Sequence, residues 1–135
     1  MTYVPNELLS RLVGCRLYSV QFIIDLVYLS FDSAASDEIP MIRCDNPAVV
    51  HTATARLRDG DAGYADALRS IIEDHVIRTF EAPRQGIRID FASASLTLRP
   101  TQDELVSPEI AMLTGFKDGR EMHWLVGQNS FEYLR

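Results

Sequence analysis

The chain has 135 residues, which is enough for one domain with a hydrophobic core and too few for two independent domains. Its 19 acidic residues outnumber 13 basic ones, and the net charge of −6 disfavours nucleic acid and anionic membrane surfaces as partners. No stretch reaches the roughly 18 consecutive apolar residues of a membrane span, and the N-terminus has no signal-peptide pattern, so we expect a soluble cytoplasmic protein.

The first half of the chain reads as a short helix followed by strands. The helix lies between Asn6, whose side chain can accept hydrogen bonds from the first free N–H groups, and Gly14, which suits a helix end. Runs of β-branched and aromatic residues then predict a hairpin with Asp25 at its turn. The predicted strands of this half cover residues 16–24, 26–31, 39–44 and 48–57.

The second half repeats this order. Tyr64, Leu68, Ile71 and Ile72 form the apolar stripe of a second helix, and alternating apolar residues predict strands as far as Leu98. Apolar residues of the two halves, and an Asp-Gly pair in each, recur at a spacing of about 60 residues, which indicates an internal duplication. Beyond the duplicated part, a strand is predicted over 121–126, and 131–134 is expected to add a last short strand or a tail.

These patterns predict an α+β fold. We expect two tandem helix-plus-antiparallel-strand units, packed as one domain and related by a pseudo-twofold internal duplication. Unit one covers about 5–60, unit two about 61–119, and C-terminal strands occupy 120–135 of the single domain 1–135. The residues expected to be buried in the core are Leu29, Phe31, Ile89, Phe91 and Trp124.

The polar residues form no recognisable catalytic motif. His51, His75 and His123 lack the spacing that places two imidazoles on one helix face, and Cys15 and Cys44 form no Cys-x-x-Cys pair. Neither a nucleophile elbow nor a glycine-rich phosphate loop occurs. We therefore predict no catalytic residue, no cofactor and no metal site, and we expect the protein not to be an enzyme. The two cysteines are expected to be reduced, buried thiols.

One segment, between Phe31 and Pro47, concentrates negative charge. It carries four carboxylates against the single guanidinium of Arg43. We predict that this acidic segment docks a basic protein partner, because opposite charges accelerate and orient association. The alternative is a solvated edge that discourages strand-on-strand aggregation. The predicted partner-binding residues are Asp32, Asp37, Glu38 and Asp45.

A resemblance adds a functional class. The run 12–20, which leads into 27–32, and the later segment 107–111 with Trp124 resemble small acidic bacterial proteins, chiefly actinobacterial, several of which are similar to immunity proteins of polymorphic-toxin systems. This resemblance implies a non-catalytic protein-binding inhibitor that neutralises a cognate, basic toxin domain by occlusion. Two alternatives stay open: a small-molecule-binding module with a pocket between the two units, and an enzyme of unrecognised chemistry.

Overall fold

Ten strands form two antiparallel sheets in the computed structural model, which describes residues 3–135. Burial alternates along several of them, as in the strand Leu26–Asp32, where Val27, Leu29 and Phe31 are buried and their neighbours are half-exposed. The strands are β1 Arg16–Ile23, β2 Leu26–Asp32, β3 Met41–Cys44, β4 Val49–His51, β5 Arg56–Leu57, β6 Val76–Ala82, β7 Gly86–Phe91, β8 Ser95–Leu98, β9 Glu109–Thr114 and β10 Met122–Leu125. The α-helix of the described residues, α1, spans Tyr64–Ser70, and 3-10 helices cover Leu9–Leu12, Gln102–Glu104 and Asn129–Phe131.

The strand order overturns the predicted fold class. The first sheet runs β1-β2-β3-β9-β10 and the second runs β5-β4-β8-β7-β6, so each half of the chain gives its last two strands to the other sheet. The α+β prediction of two tandem helix-plus-strand units is therefore wrong, and so is the internal repeat of such units. The first predicted helix is one 3-10 turn, Leu9–Leu12, because its apolar stripe is too short to propagate an α-helix.

The predicted hairpin is confirmed and two other local predictions are corrected. β1 and β2 pair as the predicted hairpin, with Ile24 and Asp25 between them. The strand predicted over 48–57 is instead two short strands, β4 and β5, because Thr52 makes a turn by accepting the N–H of Ala55 at its side-chain oxygen. Of the two expectations for 131–134, the strand is wrong, since Asn129–Phe131 is a 3-10 helix and no strand follows it.

The inner faces of the sheets pack against each other around one core. The five residues predicted to be buried are confirmed, with exposed fractions of 4% or less. β2 and β3 of the first sheet face β7 and β8 of the second, and the void between them measures only about 10 Å³. Cys44 lies in this core as a free thiol, and burial raises its pKa to about 12. The interior is therefore filled by side chains.

The sheets are also joined through the backbone at one corner. The Gly14 N–H donates to the Val76 carbonyl at 2.8 Å, and the Val76 N–H donates to the Cys15 carbonyl at 2.9 Å. Leu17 exchanges similar hydrogen bonds with Glu73 and Asp74. The beginning of β1 is therefore tied to the beginning of β6, and the two strands separate beyond this corner.

Candidate functional site

The structure divides the acidic segment between two ends of a hairpin. Asp32 ends β2, and Asp37 and Glu38 lie in the loop beyond it. Asp45 follows β3 at the opposite end, and its carboxylate pairs with Arg43 at 3.2 Å. Since a strand advances about 3.3 Å per residue, the length of β3 separates Asp45 from the other three by more than about 10 Å. The four carboxylates therefore do not form one cluster.

The other three carboxylates also have intramolecular partners. Arg16 donates to Asp32 through two nitrogens, at 3.0 and 2.7 Å, and this hydrogen-bonded guanidinium lowers the pKa of Asp32. The Lys117 ammonium pairs with Asp37, and the Lys117 N–H donates to Glu38 at 2.7 Å. Arg16 and Lys117, which lie far from the acidic segment in sequence, partly neutralise it. The negative electrostatic potential at this segment is therefore weaker than its sequence indicates. A docking role for these residues stays a prediction.

A feature that the sequence prediction missed lies on the outer face of the second sheet. Here a groove of about 680 Å³ crosses the strands. The register explains which side chains meet: Phe80, Arg88, Thr97 and Val49 form one cross-strand row, and Arg56 pairs across from His51 in the next row. We call this surface the cationic groove, and its principal residues are His51, Arg56, Phe80, Arg88, Thr97 and Arg99.

At one end of the groove, two guanidinium groups share one carboxylate. The Asp90 side chain is only 4% exposed and accepts the Nε hydrogens of Arg78 and Arg88, at 3.0 and 2.6 Å. Each guanidinium also lies 5.7 Å from the centre of the Phe80 ring. Two positive charges therefore stand against one negative charge, and the Nη groups of Arg88 have no hydrogen-bond acceptor within residues 3–135.

At the other end, Arg56 and Arg99 form no ion pair with any residue that the structure describes. The guanidinium of Arg99 stacks 5.7 Å above the ring of Tyr133. His51 is half-buried between the arginines, and its pKa is lowered by burial and then by the charges of Arg56 and Arg88. Burial and the neighbouring guanidinium groups therefore favour the neutral form of the imidazole.

The groove continues into a second depression. This depression has a volume of about 320 Å³ and shares Val49, Arg56 and Arg99 with the first. The two shared guanidinium groups consequently stand at the junction of an elongated surface. The elongated shape suits an extended chain. Asp59 and Glu104 also line the second depression beside Arg58, so its charge is mixed.

The arrangement can bind anions. Guanidinium groups offer paired N–H donors that match carboxylate or phosphate oxygens, while Thr97 and Ser95 add hydroxyl donors. Within residues 3–135, no cluster of three or more His, Cys, Asp and Glu side chains could hold a metal ion. The same part of the chain has no helix that is long and apolar enough to cross a membrane.

Comparisons with protein-family models, with curated proteins and with solved structures found no match.

Proposed function

We propose that this protein is a non-catalytic binding protein that holds an acidic segment of a protein partner in the cationic groove. The observation that carries this proposal is the presence of Arg56, Arg88 and Arg99 along one elongated surface, with free guanidinium nitrogens, in a chain whose net charge is −6. An acidic chain has enough carboxylates to pair every arginine. Arg56 and Arg99 are nevertheless unpaired among residues 3–135, and Arg88 uses only its Nε on Asp90, which favours a ligand that brings its own negative charge.

The groove also contains an apolar anchor. Phe80 is 48% exposed and lies beneath the guanidinium groups of Arg78 and Arg88. Aromatic and arginine side chains contribute most to many protein interfaces, because they combine a large contact area with directional donors. A partner segment that places a carboxylate over Arg88 would cover Phe80 as well.

The resemblance to immunity proteins supports an inhibitor as the biological role, and the groove supports the binding itself. The proposal replaces the basic partner expected from the acidic segment with an acidic one, because Asp32, Asp37 and Asp45 already pair with cations of the chain. We place the activity in the cytoplasm, where the free thiols of Cys15 and Cys44 would stay reduced.

The test uses an extended decapeptide of alternating Glu and Asp, with a Gln and Asn decapeptide as the neutral control. We expect calorimetric titration to detect binding of the acidic peptide alone. The Arg56→Gln/Arg99→Gln variant should bind it at least tenfold more weakly, since a hydrogen bond to a charged group contributes about 1.5–3 kcal/mol. Arg69→Gln/Arg135→Gln is the matched control, because it removes the same charge from exposed positions outside the groove.

Two results would contradict the proposal. One is equal loss of affinity in both double variants, which would mean that only the net charge matters. The other is the absence of binding to the unmodified protein at millimolar peptide. The same titration should be followed by NMR, where the backbone amides of β4, β7 and β8 should shift.

A second candidate is a small anionic ligand, because the volume of about 680 Å³ falls within the usual range of ligand sites. This ligand would lie in the groove on the outer face of the second sheet, and not between two helix-plus-strand units, because both sheets take strands from both halves of the chain. Titration with citrate and with inorganic phosphate separates the candidates. Affinity for citrate above that for the peptide would favour the small ligand.

A further inference from the structure

Three of the four sheet edges are short, charged or covered. β5 has only two residues, and β10 has only four and carries or adjoins the polar and charged side chains of Arg120, Glu121 and His123. The edge of β6 is covered at its start by the backbone of residues 14–17 and further along by Asn6, whose side-chain amide donates to the Thr79 carbonyl at 3.3 Å. Short strands, covering segments and charges are the usual means by which proteins keep sheet edges from pairing with other chains.

The fourth edge, β1, has none of these protections beyond Leu17, the last of its residues that is hydrogen-bonded to the segment before β6. From Tyr18 to Ile23 its free side has no backbone hydrogen-bond partner among residues 3–135. This open edge is six residues long, which corresponds to about 20 Å of extended chain. No charged residue and no proline occurs between Arg16 and Asp25. The open edge is rich in β-branched and aromatic residues, which favour pairing.

The side chains around the open edge are apolar and exposed. Tyr18 is 41% exposed, Phe22 48%, Ile23 41% and Ile24 95%. Ile24 also has a φ of +53°, a conformation that disfavours β-branched side chains and that suits glycine in a two-residue turn. At the tip of the hairpin the Ile24 side chain is therefore free to contact a second chain.

We infer that β1 pairs antiparallel with β1 of a second copy of this chain. Pairing about Gln21 sets Val20 of one copy opposite Phe22 of the other, on the face that carries Leu29 and the core, and sets Ser19 opposite Ile23 on the outer face. An aromatic side chain opposite a β-branched one is a favourable cross-strand pair.

A second copy fits this edge for two reasons. It supplies an edge of the same length that also has no charged residue. Although each chain has a net charge of −6, the two chains would therefore meet at uncharged segments. The twofold arrangement is closed as well, since each copy uses its one open edge and leaves none for further growth.

The expected dimer is weak. Stable interfaces bury about 1,200–2,000 Å² in total, and one six-residue strand pair with four half-exposed or exposed apolar side chains provides less than that. Self-association should therefore be reversible and depend on concentration. This dimer leaves the outer face of β7 and β8 free, so it is independent of ligand binding in the cationic groove.

Sedimentation equilibrium across a wide concentration range, from micromolar to near-millimolar protein, tests the inference. We expect the unmodified chain to shift from monomer to dimer. Gln21→Lys and Gln21→Glu should each weaken self-association at least tenfold, because like charges would then face each other at the twofold axis, and an equimolar mixture of the two should restore it. Gln21 is exposed, so both variants should keep the fold, as circular dichroism can confirm.

Gln128→Lys and Gln128→Glu are the matched controls, since Gln128 is exposed beyond β10 at the opposite edge of the same sheet. They should leave the dimer unchanged. A chain that stays monomeric at the highest concentration overturns the inference. So does a dimer that Gln21 substitutions leave intact, or one that the mixture of oppositely charged variants fails to restore.

Discussion

Replacing Glu81 tests whether one buried carboxylate holds three parts of the molecule together. Glu81 lies on β6 of the second sheet and accepts the indole N–H of Trp124, on β10 of the first sheet, at 2.6 Å. It also accepts the Ser130 hydroxyl at 2.8 Å, the Asn6 main-chain N–H at 2.8 Å and the Tyr3 hydroxyl. The N-terminal segment and the C-terminal 3-10 helix are thus bound to the same side chain.

The hydrogen bonds to Glu81 set the expected loss in the free energy of unfolding. The hydroxyls of Tyr3 and Ser130 lie 3.0 Å apart and can bond to each other when the carboxylate is lost, whereas the N–H groups of Asn6 and Trp124 are fixed in position. Each buried N–H left without an acceptor costs about 1–3 kcal/mol. Glu81→Gln retains one acceptor oxygen and turns an NH₂ toward one fixed donor, so it should lose about 1–3 kcal/mol. Glu81→Leu leaves both donors unpaired and should lose about 2–6 kcal/mol.

The measurement is urea unfolding followed by far-ultraviolet circular dichroism. Glu132→Gln serves as the control, because this exposed glutamate should change the free energy of unfolding by less than about 0.5 kcal/mol. Trp124→Phe should cost less in the Glu81→Leu background than alone, which measures the coupling directly. A loss below about 1 kcal/mol for Glu81→Leu, or additive effects of the two substitutions, would refute the reasoning.

Two further predictions concern the hairpin tip and the groove histidine. Ile24→Gly should leave the free energy of unfolding unchanged or raise it by up to about 1 kcal/mol, since it relieves a positive φ at an exposed position; a loss of more than about 1 kcal/mol in thermal unfolding would contradict this. Affinity for the acidic peptide should rise as the pH falls from 8 to 6, because a bound carboxylate offsets the arginines that lower the pKa of His51 and so couples binding to proton uptake. His51→Gln should remove this dependence in calorimetric titrations, and an unchanged pH profile would exclude His51 as its source. The lowered pKa of His51 also affects stability. Its contribution to the free energy of unfolding is fully present above the ordinary histidine pKa of about 6.5 and is lost as the pH falls below that value.

The sequence predicted local structure well where the signal is itself local. Alternating burial in Val27, Leu29 and Phe31 and the turn at Asp25 identify the β1–β2 hairpin, because both depend on neighbours within a few residues. Alternation also identified the buried face of β7 and β8. It does not say which strand lies beside another, so the transfer of β4 and β5 to the second sheet could not be predicted.

The same limit explains the candidate site. The acidic segment was visible because its residues are close in sequence, but its cations, Arg16 and Lys117, come from elsewhere and became apparent only in the fold. The cationic groove collects one arginine each from β5, β7 and the end of β8. A partial signal was present, since Arg88, Thr97 and Arg99 alternate with the buried apolar residues of their strands.

The two docking hypotheses predict opposite effects of salt. A chain with net charge −6 repels an acidic partner at long range and attracts a basic one, yet at contact the free guanidinium groups lie in the groove and Asp32 and Asp37 are paired with cations. Salt screens the long-range term beyond about 10 Å at 0.1 M and affects close, partly desolvated contacts less. Association with an acidic partner should consequently become faster as salt is added, and association with a basic partner slower. The sign of the salt effect on the association rate thus identifies which face binds. A partner of the cationic groove is acidic and is repelled by the net negative charge of the chain, whereas a basic partner of the acidic segment is attracted by it.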